Sequence, residues 1–374
     1  MKILVISHEF PPIGGGGANA CYYLTKGYAE LGNEVTIVTA NYHGMKEYET
    51  EKNIAIFRVN SKRRNKAHCS FAEMGSYLLK AFPLINKLVK QQKFDICQVF
   101  FGLPSGPLGF WIKKRYKVPY IVRLGGGDIP GAQSRYTVVY KILSPFLKAI
   151  WRNADGVVAN SEGLRNRALK FYDKKKIEII PNGVDIDFFI PLERNITKKE
   201  IEILFVSRLI KGKGLQFVIP HMKEISESLD KKVRLIVVGD GPYKEPLEQL
   251  ACESGVEEYV KFEGFKNKDE ILKYHQRADL FILPSEREGM PNVVLEAMSS
   301  GLPIVMTPCE GAKELIGDNG IIAEQTVFAE EVKKLLQNKI LMKKMAAAGR
   351  EKAVNEFSWN KIVERYLDLF NRCV

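Results

Sequence analysis

Arg208 and Lys213 stand five positions apart in FVSRLIKGKG, a glycine-punctuated segment that follows an apolar run. A guanidinium forks across two oxygens and an ammonium acts as a point charge, so the pair suits a diphosphate. Further on, LPSEREGMPNVVLEAMSSGLPIV carries Glu288 and Glu296 with seven residues between them. Gly289, Met290, Pro291 and Asn292 read as a turn leading into the helix that contains Glu296, and a helix start presents unpaired N–H groups. Glu296 offers the two-oxygen acceptor that ribose hydroxyls call for. A third candidate is PPIGGGGAN, Pro11 to Asn19, with Gly15 and Gly16 at its centre. Consecutive glycines let backbone approach a ligand, and the helix that follows turns its N-terminus to a phosphate. Three readings of this loop stay open: a phosphate cradle, a dinucleotide loop and a purely structural turn. Against the dinucleotide reading, G-x-G-x-x-G needs glycine where Asn19 stands, and the next strand ends Val38-Thr39-Ala40-Asn41 with no acid for a ribose.

Short apolar runs alternating with helical segments must position these residues. Lys2–Ser7, Glu34–Thr39, Ile54–Val59, Ile96–Phe101, Tyr120–Leu124, Gly156–Ala159 and Ile177–Ile180 read as strands. The pattern then restarts with Ile201–Val206, Arg234–Val238, Val260–Phe262, Leu280–Leu283 and Pro303–Met306. Helices are expected at Lys244–Ser254, Lys268–Arg277, Val293–Ser300 and from Trp359 onward. Such alternation predicts two doubly wound parallel sheets. The boundary is expected in the polar segment Pro191–Glu200. The domains are then 1–192, joined by the closing helix 359–374, and 193–358, in keeping with 374 residues.

The net charge of +12 is unevenly placed: residues 1–190 hold 28 Lys and Arg against 15 Asp and Glu, whereas 191–374 hold 28 against 29. Basic runs occur at Lys62, Arg63, Arg64, Lys66 and at Lys113, Lys114, Arg115, Lys117. The excess points to an anionic partner, or to nothing more than a solvated face. Phe71, Met74, Leu78, Phe82, Ile85 and Leu88 lie at helical spacing with lysines interleaved, a pattern that fits a membrane surface or a helix packed on the sheet. No run approaches 18 consecutive apolar residues, so no spanning helix is expected. The opening MKILVISHEFPPIGGGG does not read as an export signal, and the cytoplasm is the expected compartment. Six scattered cysteines without a C-x-x-C pair predict reduced, mostly buried thiols. No nucleic-acid motif accompanies the basic half, so no nucleic-acid partner is expected.

Taken in order, PPIGGGG, ELGNEVTIVT, ANSEGLRNRAL, IIPNGVDIDFF, SRLIKGKG, VVGDGP, FEGF, the E-x7-E segment and FSWNKIVERYLDLF resemble glycosyltransferase family 4 over nearly the whole chain. The resemblance implies a GT-B fold, two Rossmann-like domains facing each other across a cleft. It implies transfer of a hexose, with retention, from a UDP- or GDP-sugar to a saccharide or lipid-linked acceptor in cell-surface polysaccharide or glycolipid biosynthesis. By position it places Gly15 and Gly16 before the donor diphosphate and assigns Arg208 and Lys213 to bind it. Glu288 falls near the transferred hexose and completes the catalytic set with those two residues. Glu296 falls on the ribose, Gly289–Asn292 on sugar and phosphate, and Gly264 at the nucleobase. No metal or other cofactor is expected: Asp185-Ile186-Asp187 reads as a turn, and the two cations with a helix end would offset the diphosphate charge.

One stretch departs from the family. Where a His-Gly-x-Asp pattern is usual, this chain has VRLGGGD, so Gly125 takes the imidazole's place while Asp128 remains. His8, at the end of the first strand, is a further polar candidate beside the glycine loop. Rival functions are a sugar-nucleotide epimerase, which would need no acceptor, a nucleotide-sugar-binding module without catalysis, and a basic nucleic-acid binder.

Overall fold

The computed structural model describes residues 1–66, 69–130, 137–192 and 200–374. The chain divides into two compact units, Met1–Asn182 with Trp359–Val374, and Gly183–Ser358. Residues 193–199, within the polar segment where the sequence places the boundary, lie outside the described residues.

The first unit holds β1 (Lys2–Ile6), β2 (Glu34–Ala40), β3 (Tyr48–Glu51), β4 (Ile54–Val59), β5 (Ile96–Phe100), β6 (Tyr120–Arg123), β7 (Gly156–Ala159) and β8 (Glu178–Ile179). They form one sheet in the order β3-β4-β2-β1-β5-β6-β7-β8. Successive side chains of a strand serve opposite faces. Leu4, Ile6, Val38, Cys97 and Val99 fill one core, and Ile3, Val5, Ile37 and Ile96 fill the other. With both faces covered, the central strands are continuously apolar. Trp359–Asn371 lays Ile362, Val363, Tyr366, Leu369 and Phe370 into the second core, a helical stripe. It approaches the helix Gly16–Glu30 so closely that a Cβ on Gly27 would lie 2.4 Å from Val363 Cγ2. Trp359 stacks on Tyr23 at 5.1 Å.

The second unit holds β9 (Glu200–Val206), β10 (Lys232–Val238), β11 (Val260–Gly264), β12 (Leu280–Leu283), β13 (Ile304–Met306) and β14 (Gly320–Ile322) in the order β11-β10-β9-β12-β13-β14. All of its pairings are parallel.

In both sheets the chain builds outward on one side of its first strand and then crosses to the other. The reversal lies between β1 and β5 in the first unit, and between β9 and β12 in the second. The crevice outside the carboxyl ends of such a strand pair is where open α/β sheets take ligands.

Three expectations need correction. The first sheet is not wholly parallel, since β3 runs antiparallel to β4 at its edge, and β14 also went unread. Of the cysteines only Cys21 and Cys97 are buried; Cys252 is exposed and the other three are intermediate, though all six thiols are free. The apolar series of the helix Phe71–Gln91 is divided: Ile85 and Leu88 pack into the core, while Phe82 is exposed.

Candidate functional site

At the β9/β12 switch point, the loops that leave the two strands lie against each other. Gly214 has φ +77°, and a Cβ there would sit 1.9 Å from the Pro284 carbonyl oxygen, so only glycine permits the approach. The Glu286 N–H donates to the Gly212 carbonyl at 2.9 Å. This contact delivers the Lys213 ammonium to Glu288, Nζ donating to Oε1 at 2.5 Å. The two side chains are only 17% and 16% exposed, so the pair is charge-assisted and largely out of water. Arg208 is exposed just past the end of β9, with no ion-pair partner among the described residues.

The turn after Glu288 is held by its own backbone. The Glu288 carbonyl accepts the Glu310 N–H at 3.1 Å. Gly311 runs so close beneath that a Cβ on it would lie 2.7 Å from the Gly289 oxygen. Met290 and Pro291 are buried, and the helix Asn292–Ser299 starts after Pro291 with neither a side-chain cap nor an acid in its first turn. By contrast, the helix Lys268–Arg277 has a full capping box from Asn267 and Glu270. An uncapped helix start beside a Lys–Glu pair is suited to an anion. Gly264 ends β11 with φ +71° and open space where a side chain would be; its carbonyl accepts the Gly239 N–H at 2.9 Å.

Glu296 has different company. It lies farther along the same helix, a fifth exposed, with Oε2 3.9 Å from His275 Nε2. Burial pushes its carboxyl up to about 7, against the opposing field of Lys268. Asp185 behaves as a turn residue: Oδ1 accepts the Phe188 N–H at 3.1 Å and Oδ2 meets Lys268 at 3.4 Å.

In the first unit, the loops after β1 and β5 flank the other switch point. Gly15 precedes the helix Gly16–Glu30, which also starts without a side-chain cap or a first-turn acid. The Gly14 N–H donates to the Lys66 carbonyl at 2.8 Å, tying the glycine loop to the basic run. Arg63 of that run is buried and donates to the Asn65 and Lys66 carbonyls, with Nη2 3.4 Å from Glu9 Oε1. That guanidinium is therefore built into the fold rather than offered at the surface. His8 is buried, and burial, with Arg63 adding to it, pushes its imidazole down to about 3. It is thus neutral at physiological pH.

Phe101 fills the centre of this region. Its backbone sits at φ +72° and its ring packs edge-on to His8 at 4.9 Å. A Cβ on Gly125 would lie 2.2 Å from the ring, and one on Gly17 would lie 2.6 Å from it. The ring thus occupies the space that a side chain at 125 would need. Asp128 accepts the Gly102 N–H at 2.6 Å and the Gly125 N–H at 2.9 Å, joining the loops after β5 and β6. Burial pushes its carboxyl above the usual range despite those hydrogen bonds.

On the outer helices of this unit, Leu79 is 76% exposed and Ile142 is 73% exposed. Phe82 lies 4.5 Å from Trp111, Phe110 lies 6.4 Å from Phe146, and Lys114 stands over Phe110. No helix among the described residues is long and apolar enough to cross a membrane, and these residues contain no group of three or more His, Cys, Asp or Glu placed to hold a metal ion.

The sequence singles out Lys213, Glu288 and the turn after Glu288 but pairs Lys213 with Arg208, whereas its contact in the structure is Glu288; two further residues carry no such signal. His275 sits in KYHQRA, which reads as an ordinary surface helix. Phe101 looked like the end of a strand, and only the glycines at 17 and 125 hint that something bulky lies between them.

Residues 189–352 match the family model described as glycosyl transferases group 1, and residues 14–188 match that of glycosyltransferase family 4. An uncharacterized glycosyltransferase of Methanocaldococcus jannaschii is 32% identical over all of this chain and 99% of its own length. The GDP-mannose-dependent alpha-(1-6)-phosphatidylinositol monomannoside mannosyltransferase of Mycobacterium tuberculosis is 25% identical over 98% of this chain and 97% of its own. Among solved structures, sucrose-phosphate synthase from Thermosynechococcus elongatus superposes with a TM-score of 0.81 at 19% identity, covering 100% of this chain and 98% of that one.

Proposed function

The chain belongs to the group 1, family 4 glycosyltransferases of GT-B fold, and we propose that it moves a hexose from a UDP- or GDP-sugar to a saccharide or lipid-linked saccharide acceptor, with retention of configuration. The observation that carries the donor side is the Lys213–Glu288 contact beside the uncapped start of the helix Asn292–Ser299. Breaking the sugar–phosphate bond leaves negative charge on the departing nucleoside diphosphate and positive character on the sugar carbon. Groups that bind this charge more tightly as it develops lower the barrier. Arg208, exposed just past the end of β9, and Lys213, held in place by Glu288, take the diphosphate oxygens. The backbone of Gly289–Asn292 takes the remainder. Glu288, once the diphosphate shares its lysine, has a carboxylate oxygen for the hexose. Glu296 accepts from the ribose hydroxyls, and Gly264 leaves room for the base. With two cations and a helix end at the diphosphate, no divalent ion is required. In the first unit, Gly15 and Gly16 lead into the uncapped start of the helix Gly16–Glu30, a helix end likewise suited to a phosphate.

The acceptor is proposed to lie at an anionic membrane. Leu79, Phe82, Ile142 and Phe146 are exposed on a unit rich in lysine and arginine, and such a mixture of apolar and basic side chains suits peripheral attachment. A thermal-shift panel of UDP-, GDP- and ADP-sugars tests the donor, because a ligand selective for the native state raises the melting temperature. NMR of the new glycosidic linkage tests retention: an α-linked product from an α-linked donor is expected, and a β product contradicts it. A donor turned over without any acceptor would favour an epimerase instead.

A further inference from the structure

His275 is the fully buried residue of the helix Lys268–Arg277. Phe189 meets its ring edge-on at 5.7 Å, and Phe281 stacks on it at 5.7 Å. Burial pushes the imidazole down to about 3, so it is neutral, with one N–H to donate and one lone pair to accept. Neither nitrogen has a hydrogen-bond partner among the described residues. An unmet N–H in an aromatic enclosure carries a desolvation penalty that phenylalanine would avoid. The acid within reach is Glu296, whose Oε2 is 3.9 Å from Nε2, about 1 Å beyond hydrogen-bond distance. A side-chain rotation of Glu296 covers that gap. The other charged group acting on this carboxyl is Lys268, which is itself 3.4 Å from Asp185 and 4.0 Å from the centre of the Phe188 ring.

We propose that His275 is the positioning residue of Glu296: when a nucleoside diphosphate binds, Nε2–H donates to one carboxylate oxygen and leaves the other aimed at the ribose hydroxyls. This rests on the reading of Glu296 as the ribose acceptor. A carboxylate only a fifth exposed is poorly solvated, and no hydrogen bond among the described residues fixes its direction. A fixed donor behind it favours the ionised form and sets its direction, which is what recognition of a ribose hydroxyl requires.

The test compares UDP or GDP, whichever the thermal-shift panel selects, with its 2′,3′-dideoxy counterpart. Affinities are measured by calorimetry for the wild type, His275→Phe, His275→Gln, Glu296→Gln and the double variant H275F/E296Q. His275→Phe keeps the ring packing. It is expected to lose roughly tenfold for the ribonucleotide, the worth of one hydrogen bond to a charged group, and to change little for the dideoxynucleotide. His275→Gln can still donate and should recover most of that loss. In the Glu296→Gln background, His275→Phe should add nothing. Equal losses for both nucleotides, or no loss for either, would overturn the proposal, since a merely structural role would not distinguish them. If Glu296→Gln leaves the ribose preference intact, the ribose reading itself falls. If it abolishes the preference while His275→Phe does not alter it, only the role of His275 falls. Should His275→Phe not fold, 15N-histidine NMR of the wild type decides. The ribonucleotide should move one buried Nε2–H resonance downfield and the dideoxynucleotide should not; no such shift refutes the hydrogen bond.

Discussion

Replacing Gly125 by histidine places the family's usual imidazole where this chain has none. The new Cβ would lie 2.2 Å from Phe101 Cε1 and 2.4 Å from Cδ1, whereas carbon atoms pack at about 3.5–4.0 Å, so the ring must retreat by more than 1 Å. It has little room: Gly17 and His8 hold two of its other sides. Overpacking of this kind costs about 3 kcal/mol, before any strain from a displaced residue already at positive φ. Phe101→Ala alone removes a half-buried ring and should cost about 2 kcal/mol. In the double variant the imidazole takes the vacated space. Its cost should therefore be about 2–3 kcal/mol rather than the sum of the singles, a coupling of about 2–3 kcal/mol. Urea denaturation of the four proteins measures the cycle. Additive costs, or a Gly125→His variant as stable as the wild type, would refute the steric argument and with it the explanation of why Gly125 stands here.

Three further expectations come from other parts of the molecule. Glu296 has a folded-state pKa raised to about 7, so the unfolded chain gives up this proton at lower pH than the native one, and stability falls as pH rises from about 4.5 to 7. Glu296→Gln should then be neutral near pH 4 and stabilising by about 2 kcal/mol at pH 8, less than the full shift implies because the side chain is partly solvated; an equal effect at both pH values in urea titrations would contradict this. Gly311→Ala pushes a methyl toward the Gly289 carbonyl, and should cost about 1–3 kcal/mol and weaken nucleotide affinity measured by calorimetry; unchanged affinity would separate the turn from the donor site. Leu79→Glu with Phe82→Glu should sharply reduce sedimentation with anionic liposomes at low salt while leaving the melting temperature within a few degrees of the wild type, and undiminished sedimentation would remove this face from membrane attachment.

Much of this was legible because the chemistry is local. Arg208 and Lys213 follow an apolar strand within eight residues, and Glu288 follows another, so the switch-point rule brings the two loops together once the strand order is known. The glycines at 214 and 311 are the backbone's share of that meeting, and their need appears only when the opposing carbonyls are in place. The strand at Tyr48–Glu51 could not be read, since YETE is polar on both faces and pairs only as an edge. Three-residue β14 is too short for any period to show. In the helix Phe71–Gln91, periodicity revealed an apolar stripe but could not say what covers it; the sheet takes Ile85 and Leu88 and leaves Leu79 and Phe82 outside. His275 carries no local signal whatever. Its meaning lies in Phe189, Phe281 and Glu296, all brought to it by tertiary packing.

The proposed role of the cation pair at a diphosphate is tested most directly by the turnover of Lys213→Ala at saturating donor. Losing one contact to the developing charge should lower kcat by about 10²–10³ while circular dichroism and melting temperature report a folded protein. Turnover at the wild-type level in a folded Lys213→Ala protein would mean that the departing diphosphate does not depend on this lysine.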